Sequence, residues 1–236
     1  MVLSKGSGSL FSNPTKYHQV VDALQYVMLT RPDLAFAVNK VCQFMHQPTD
    51  DHWMVVKQIL HYLRSTSSHG LFIRRDSPFL LEAYYDSDCA RCLDDRHSTC
   101  GFSMFLGNNL ISSTSRKQRT VSQSSTEFEY KALADTAAEL TWIQSLFRKL
   151  GISLRSIPTL WRDNLVDTYL SANPVFHART KHVEINFQFV QEKVARHDLQ
   201  VQFISTHDQL ADILTKALSS QRFDCLRSKL QVVSRP

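Results

Sequence analysis

The spacing of the apolar residues changes partway along this chain, and that change restricts the possible folds more than any other feature. Between residues 17 and 64 apolar side chains recur every three or four positions, which predicts three short amphipathic helices. Pro32 and Pro48 stand where prolines are common in first helical turns, and Thr49 suits the N-cap of the third helix. Residues 65–70, STSSHG, end the pattern. The sequence therefore predicts a small helical segment ahead of the rest of the fold.

A strand pattern follows this helical segment. Short runs rich in β-branched and aromatic residues occupy positions 79–85, 99–106 and 110–114. Gly107-Asn108-Asn109 separates the last two runs and is typical of a hairpin turn. These runs predict three consecutive antiparallel strands.

The longest predicted helix begins behind Ser124-Ser125-Thr126-Glu127, a capping-box pattern. Its apolar stripe continues from Tyr130 to Leu150 and stops before Gly151, where a glycine commonly ends a helix. Beyond it the pattern predicts a strand at 157–161, a short helix at 164–170, a longer helix at 180–195, a strand at 199–203 and a helix from Asp208.

Three antiparallel strands followed by alternating helices and strands predict an α/β fold. We expect a mixed five-stranded sheet with helices on both faces, preceded by the small helical segment. Residues 1–15 are rich in Ser and Gly without apolar periodicity and are predicted to be a disordered lead-in. The remaining divisions are a helical segment at 16–75, the sheet domain at 76–218, and a C-terminal helix and tail at 219–236.

Composition excludes several classes of protein. No apolar run approaches the roughly 18 residues that cross a bilayer, and the N-terminal residues lack the apolar core of a secretory signal. We therefore expect an intracellular, cytoplasmic protein with no membrane partner. The 5 cysteines are odd in number and unevenly placed, which argues against a disulfide framework. A net charge of +5 favours polyanionic partners such as nucleic acid without requiring them.

Four acidic residues stand at the predicted ends of strands or the starts of helices: Asp86, Glu127, Asp163 and Asp212. Each has a simpler interpretation on its own. Asp86 is compatible with a solvated strand residue, and Glu127 with the acid of the capping box. Asp163 is compatible with a helix cap, and Asp212 with a favourable charge at a helix N-terminus.

Taken together, the four acids indicate a metal site. Strand ends and helix starts at one edge of a mixed sheet lie close together, and four converging carboxylates repel one another unless divalent cations lie among them. Two Mg²⁺ ions about 3.5–4 Å apart activate water and stabilise the leaving oxygen of a phosphodiester. The pattern predicts phosphodiester hydrolysis.

Long stretches of the chain resemble a known family. The segments are AYYDSDCA (83–90), DDRHSTCGFSMFLGNNLISS (94–113), RKQRTVSQSSTEFEYKALA (116–134), LWRDN (160–164), YLSANPVFHARTKHVEINFQFV (169–190) and DQLADILTKAL (208–218). They resemble the ribonuclease H domain of copia-type LTR retrotransposon Pol polyproteins. The stretch at 17–66 is similar to the end of the reverse transcriptase thumb and connection in the same family, so the resemblance covers nearly all of 17–230.

This resemblance implies a ribonuclease H-like fold and two-metal, endonucleolytic hydrolysis of the RNA strand of RNA·DNA hybrids, with Mg²⁺ or Mn²⁺ as cofactors. The family's acidic metal ligands, which are also its catalytic residues, fall on Asp86, Glu127, Asp163 and Asp212. A further implied partner is the polymerase part of a parent polyprotein, with a virus-like particle or the nucleus as possible locations. The aromatic-x-Asp-Asp motif of the polymerase palm is not found, so the chain by itself is not predicted to be a polymerase.

Several basic residues are candidates for accessory roles. Arg116, Lys117 and Arg119 follow the predicted hairpin and suit contacts to nucleic-acid phosphates, although a solvated charge run explains them equally well. His207 is a candidate for orienting water or product, with an exposed loop histidine as the alternative. His182 matches the family, and a polar helix face explains it equally well.

Two alternatives stay open at this point. Departures from the family pattern, such as Cys89 where tryptophan is usual and Arg119 where proline is usual, are compatible with a decayed remnant that folds or binds nucleic acid without cleaving it. The series Cys89-x2-Cys92-x4-His97-x2-Cys100 approaches a zinc knuckle, which would make the chain a nucleic-acid-binding module. Its last spacing is too short for that motif.

Overall fold

The computed structural model describes residues 3–4, 6, 8–88, 98–118, 125–163 and 181–234. In the helix that begins at Ser125 the side chains are described from residue 127, and in the helix that begins at Lys181 from residue 185. The short helix predicted at 164–170 lies outside the described residues.

The helical segment contains the three predicted helices: α1 (Pro14–Val27), α2 (Ala35–Cys42) and α3 (Asp50–Ser65), with a 3₁₀-helix at Pro32–Leu34 leading into α2. Thr49 is the N-cap of α3, and it forms a capping box with His52. Pro48 lies just before this cap and outside the helix, which corrects its predicted place in the first turn. The apolar stripes of the three helices pack on one another around fully buried Val21, Val38 and Val56.

Part of the predicted lead-in is ordered. Leu10 forms a β-bridge with Thr49, and the ring of Phe11 stacks on that of Trp53 with centroids 4.9 Å apart. Leu3 is buried in the same helical core. The sequence pattern missed these contacts because they are made by single residues that have no period.

The central element is a mixed five-stranded sheet formed by strands β2 (Leu81–Asp88), β3 (Thr99–Leu106), β4 (Asn109–Lys117), β5 (Thr159–Arg162) and β6 (Gln200–Phe203). The strand order is β4-β3-β2-β5-β6. The first three strands are antiparallel neighbours, whereas β5 runs parallel to both β2 and β6. The turn between β3 and β4 contains Gly107, whose positive φ of 59° suits a residue without a side chain.

Helices cover both faces of this sheet. The long helix α4 (Ser125–Lys149) and helix α5 (Lys181–Ala195) lie on one face, where Ala83, Met104 and Leu160 join Leu133 and Leu140 in the main core. The short helix α6 (Asp212–Thr215) lies on the other face together with α2. The α/β class predicted from the sequence, with its mixed five-stranded sheet and helices on both faces, is therefore confirmed.

Two features near the C-terminus differ from the sequence prediction. The helix predicted from Asp208 begins at Asp212, because residues 205–208 form a turn in which the Ser205 hydroxyl donates to the Asp208 carboxylate at 2.9 Å. After helix α7 (Ser220–Lys229), strand β7 (Val232–Ser234) pairs antiparallel with β1 (His69–Leu71). Strands of three residues are too short to show alternation in a sequence. Among the described residues, no helix has the length and apolar character needed to cross a membrane.

Candidate metal centre

Three of the four predicted acids lie together at one edge of the sheet. Asp86 lies near the end of β2, and Asp163 directly follows β5. Because β2 and β5 are parallel neighbours, their C-terminal ends lie side by side. Asp212 is the first residue of α6, which packs against the same part of the sheet. One carboxylate oxygen from each of the three residues lies within 4.8 Å of the others.

Glu127 is not a member of this group. It lies in the first turn of α4, where the capping-box interpretation also places it, and its side chain is half-buried. The acidic cluster that the described residues form consists of Asp86, Asp163 and Asp212. A direct role for Glu127 at the metal site therefore stays a prediction.

Basic and hydroxyl groups of the chain contact two of the three acids. Lys216 Nζ lies 3.1 Å from Asp86 Oδ1 and 2.9 Å from Asp212 Oδ1. The Thr215 hydroxyl donates to Asp86 Oδ2, and Arg222 donates to Asp212 Oδ2. The repulsion expected among the acids is thus partly offset by cations from the chain itself.

Burial controls the charge state of Asp86. Its side chain is 6% exposed, and desolvation raises the pKa of Asp86 to about 6, although Lys216 and the Thr215 hydroxyl oppose this shift. Burial disfavours the charged ammonium of Lys216, but the carboxylates of Asp86 and Asp212 outweigh it and raise the pKa of Lys216. At neutral pH, above the pKa of Asp86, the site therefore holds an ionised Asp86 next to the charged Lys216.

A buried glutamine holds the backbone ahead of α6 to the sheet, and a glycine on β3 lets α6 come close to it. The Gln209 side chain donates to the carbonyl of Tyr85 at 3.0 Å and accepts from the amide of Ala211 at 3.2 Å. At Gly101 of β3, a Cβ atom would lie 2.7 Å from Cβ of Leu214. The absence of a side chain at Gly101 thus lets α6 approach the sheet closely enough to bring Asp212 beside Asp86.

The other predicted site residues lie away from this cluster or outside the described residues. Arg116 is exposed near the end of β4, and Lys117 is half-buried with Nζ 3.2 Å from the Gln43 side-chain oxygen. His207 is exposed, with Nδ1 3.5 Å from a carboxylate oxygen of Asp208. Arg119 lies outside the described residues, and for His182 only the helical backbone is described.

The zinc-knuckle alternative rests mainly on residues outside the described part of the chain. Cys89, Cys92 and His97 all lie outside the described residues. Cys100 is buried in β3, and its thiol lies 3.6 Å from the carbonyl oxygen of Arg116. Burial raises the pKa of the Cys100 thiol, which disfavours the thiolate that zinc requires.

Three residues of the site were missed at the sequence level: Thr215, Lys216 and Arg222. Lys216 had a detectable signal, because it lies four residues after Asp212 and such pairs meet on a helix surface. Arg222 had none, since its contact with Asp212 depends on how α7 packs against α6.

The donor set suits a hard divalent cation. Three carboxylates supply oxygen ligands, and Asp86 and Asp212 are both buried, so an ion there would be shielded from bulk water. The five-stranded mixed sheet and this acidic edge define the chain as an α/β domain with a candidate metal site.

Comparisons with known proteins identify similar sequences and solved structures. The retrovirus-related Pol polyprotein from transposon RE2 of Arabidopsis thaliana is 46% identical over 99% of this chain, and the one from transposon TNT 1-94 of Nicotiana tabacum is 36% identical over 88%. The solved structure of LC11-RNase H1 in complex with an RNA/DNA hybrid superposes with a TM-score of 0.43, 14% identity, and coverage of 57% of this chain and 93% of that one. No protein-family model matches the chain.

The chain belongs to the retrovirus-related Pol polyproteins of copia-type transposons. It spans 16% of the length of each of the two polyproteins.

Proposed function

We propose that this chain is a metal-dependent ribonuclease H that cuts the RNA strand of RNA·DNA hybrids internally. The observation that carries the proposal is the gathering of Asp86, Asp163 and Asp212 at the end of two parallel strands, with their oxygens within 4.8 Å. Membership of the Pol polyprotein family supports it, because such acids are what the family resemblance implies for a ribonuclease H domain.

The three acids would hold the metal ions of the proposed mechanism. Asp86 on the central strand and Asp163 beside it would hold two Mg²⁺ or Mn²⁺ ions, with Asp212 completing the ligand set. We propose Glu127 as a fourth acidic residue of the centre. Divalent ions held in this way lower the pKa of a bound water and stabilise the leaving oxygen of the phosphodiester. Burial of Asp86 and Asp212 keeps bulk water from competing for their oxygens.

The substrate would be held by its backbone. Arg116 is exposed on β4, and we propose that it contacts phosphates together with Lys117 and Arg119. His207 and His182 are proposed as accessory residues. Phosphate contacts position a duplex without reading its sequence, so the cleavage is expected to depend on helix shape more than on sequence.

The larger context is also a proposal. We propose that the chain divides into a thumb and connection remnant at 16–75, a ribonuclease H domain at 76–218 and a C-terminal helix and tail at 219–236. This division implies that the parent polyprotein places a polymerase before this chain. We expect no primer extension by the chain itself.

The decisive experiment is a cleavage assay with an end-labelled RNA·DNA hybrid. Wild-type protein with Mg²⁺ or Mn²⁺ should cut the RNA strand, excess EDTA should abolish cutting, and duplex DNA should stay intact. Asp86→Asn should lose more than about a hundredfold in rate, because a metal ligand is removed. Asp208→Asn is the matched control, since Asp208 is an exposed acid paired with Lys229 outside the cluster. Full activity of Asp86→Asn would refute the proposal, and hybrid binding without cleavage would favour the non-catalytic alternative.

A further inference from the structure

The cluster contains a cation supplied by the chain. Lys216 Nζ lies 3.1 Å from Asp86 Oδ1 and 2.9 Å from Asp212 Oδ1, so one ammonium is shared by two of the three proposed metal ligands. A divalent ion bound between Asp86 and Asp212 would use the same region of the same two carboxylates. Lys216 and such an ion therefore require the same space.

Arg222 contacts the cluster in a different way. Its guanidinium donates to Asp212 Oδ2 and to the carbonyl of Thr206, and it lies on the oxygen of Asp212 that Lys216 does not contact. Arg222 thus ties Asp212 to the loop ahead of α6. Its position is compatible with an ion on the other oxygen.

We propose that the Lys216 ammonium and a divalent metal ion compete for Asp86 and Asp212, so that metal binding displaces Lys216 while Arg222 keeps Asp212 in position. This inference rests on the proposed function, because it concerns the same metal centre. In the absence of metal, the Lys216 ammonium occupies the place of a metal ion. The strength of its contacts then sets the affinity of the centre for a divalent ion.

Charge and geometry support displacement. The cluster brings three carboxyl groups together with two basic side chains, Lys216 and Arg222. A divalent ion beside a retained Lys216 would place two cations on the same oxygens, where their repulsion is strong. Lys216 follows the last residue of α6, its side chain is 23% exposed, and its flexible stem can turn toward solvent. Leaving the site therefore requires no rearrangement of the fold.

The first test measures Mn²⁺ affinity by calorimetric titration of the full chain. Lys216→Met should bind Mn²⁺ at least about tenfold more tightly than wild type, because the competing charge is gone. Arg222→Met is the charge-matched comparison, since it removes one cation from the same cluster without freeing the shared oxygens, and it should gain no affinity because Asp212 loses the contact that keeps it in position. Lys229→Met removes a lysine that pairs with exposed Asp208 and should leave the affinity unchanged.

The outcomes separate the inference from the proposed function. Equal gains in Lys216→Met and Arg222→Met would show a general charge effect and overturn the inference while leaving a metal site. Tighter binding in Lys216→Met without hybrid cleavage by wild type would overturn the ribonuclease activity alone. Failure of all variants to bind Mn²⁺ would overturn both.

The second test uses wild-type protein and does not depend on the folding of any variant. Amine-reactive labelling followed by peptide mass spectrometry gives the modification rate of each lysine with and without Mg²⁺. The rate at Lys216 should rise several-fold on addition of Mg²⁺, whereas the rate at Lys229 should stay constant at fixed ionic strength. An unchanged or lower rate at Lys216 in Mg²⁺ would overturn displacement.

Discussion

At the scale of single residues, Asp86 combines two properties that rarely occur together. It is buried, which disfavours its charge, and it is placed beside Lys216 and Thr215, which favour that charge. Burial is the larger influence, and the pKa of Asp86 is raised to about 6. A buried carboxylate held ionised at neutral pH is a costly arrangement, which is typical of a residue retained for binding or catalysis.

This raised pKa predicts an unusual pH dependence of stability. The folded pKa of Asp86 lies above the usual value of 3.8, so ionised Asp86 lowers the free energy of unfolding at pH 7, and the penalty is relieved as pH falls through about 6. Asp86→Asn should therefore stabilise metal-free protein at pH 7 by up to about 3 kcal/mol, and most of this gain should be lost near pH 4. Urea unfolding in EDTA at several pH values measures this difference.

Asp208 supplies a control of opposite sign. Its pairing with Lys229 and with the Ser205 hydroxyl lowers the pKa of Asp208 to about 2. Its contribution to stability is present above the usual pKa of 3.8 and is lost as pH falls toward 2. Asp208→Asn should therefore not stabilise the protein at pH 7. Stabilisation of both variants at pH 7 would contradict the assigned role of burial at Asp86.

The sequence identified the acidic residues but not the cations beside them. Asp86, Asp163 and Asp212 were predictable because strand ends and helix starts follow from local patterns, and parallel neighbouring strands end at the same edge. The contact of Arg222 with Asp212 depends on tertiary packing, which no local pattern encodes. At the residue scale the candidate ligands were thus predictable, and their electrostatic balance was not.

At the scale of elements, the distance between α6 and β3 decides whether the site forms. Gly101 on β3 faces Leu214 and Thr215, and a Cβ atom there would lie 2.7 Å and 3.0 Å from their side chains. Because α6 carries Asp212 and precedes Lys216, any outward shift of this helix moves both away from Asp86.

Gly101→Ala is therefore expected to damage fold and site together. The overpacked contact should lower the free energy of unfolding by about 1–3 kcal/mol and weaken Mn²⁺ binding. Gly70→Ala is the matched control, because a Cβ at Gly70 meets nothing within 4 Å. Thermal unfolding and Mn²⁺ titration of both variants check this prediction, which equal behaviour of the two would contradict.

A second contact between elements joins α3 to α7. The Tyr62 hydroxyl donates to Asp33 at 2.8 Å and accepts from Arg227 at 3.1 Å, while Arg31 pairs with the same Asp33 carboxylate. The side chain of Asp33 is fully buried, so its partners matter for stability. This network connects the helical segment to the C-terminal helix directly.

Tyr62→Phe should lower the free energy of unfolding by about 1–2 kcal/mol, because it removes both hydrogen bonds and leaves the ring in place. Tyr26→Phe serves as the control, since Tyr26 is 76% exposed. Chemical denaturation measured for both variants tests the network. Equal stabilities would show that it contributes nothing measurable.

Local pattern predicted the elements well where they are long and periodic. Helix α4 and strands β3 and β4 follow from capping signals, alternation and the turn at Gly107. The pairing of β1 with β7 and the late start of α6 did not follow, because three-residue strands and a four-residue helix are set by their neighbours. Two of these three short elements, α6 and β7, belong to the C-terminal part of the chain.

At the scale of the whole molecule, one shared apolar core joins the helical segment, the sheet and the C-terminal helix, apart from the main core and the core of the helical segment. The residues of this shared core come from all three regions: Ala35, Phe105, Leu110, Leu210, Ile213, Leu214, Leu226, Leu230 and Val232. It lies under α6, on the side of the sheet away from the main core. The proposed domain boundaries at residues 75 and 218 therefore cut through a packed cluster.

This shared core predicts that a fragment of residues 76–218 is less stable than the full chain. Truncation removes Ala35, Leu226, Leu230 and Val232, and burying a large apolar side chain contributes about 1.5–3 kcal/mol. The fragment should unfold at lower urea concentration and bind Mn²⁺ more weakly, because the residues that pack against Leu214 on α6 and the Arg222 contact to Asp212 are lost.

Two longer fragments separate the contributions of the two flanking regions. Residues 76–236 keep α7 and β7, including Arg222, and residues 1–218 keep the helical segment with Ala35. If the shared core couples the regions, each fragment should have a urea midpoint between those of residues 76–218 and the full chain. Fragment 76–236 should recover more of the Mn²⁺ affinity than 1–218 does, since it alone restores the contact from Arg222 to Asp212. A fragment of residues 76–218 with the urea midpoint and Mn²⁺ affinity of the full chain would instead establish an independent domain and contradict the coupling.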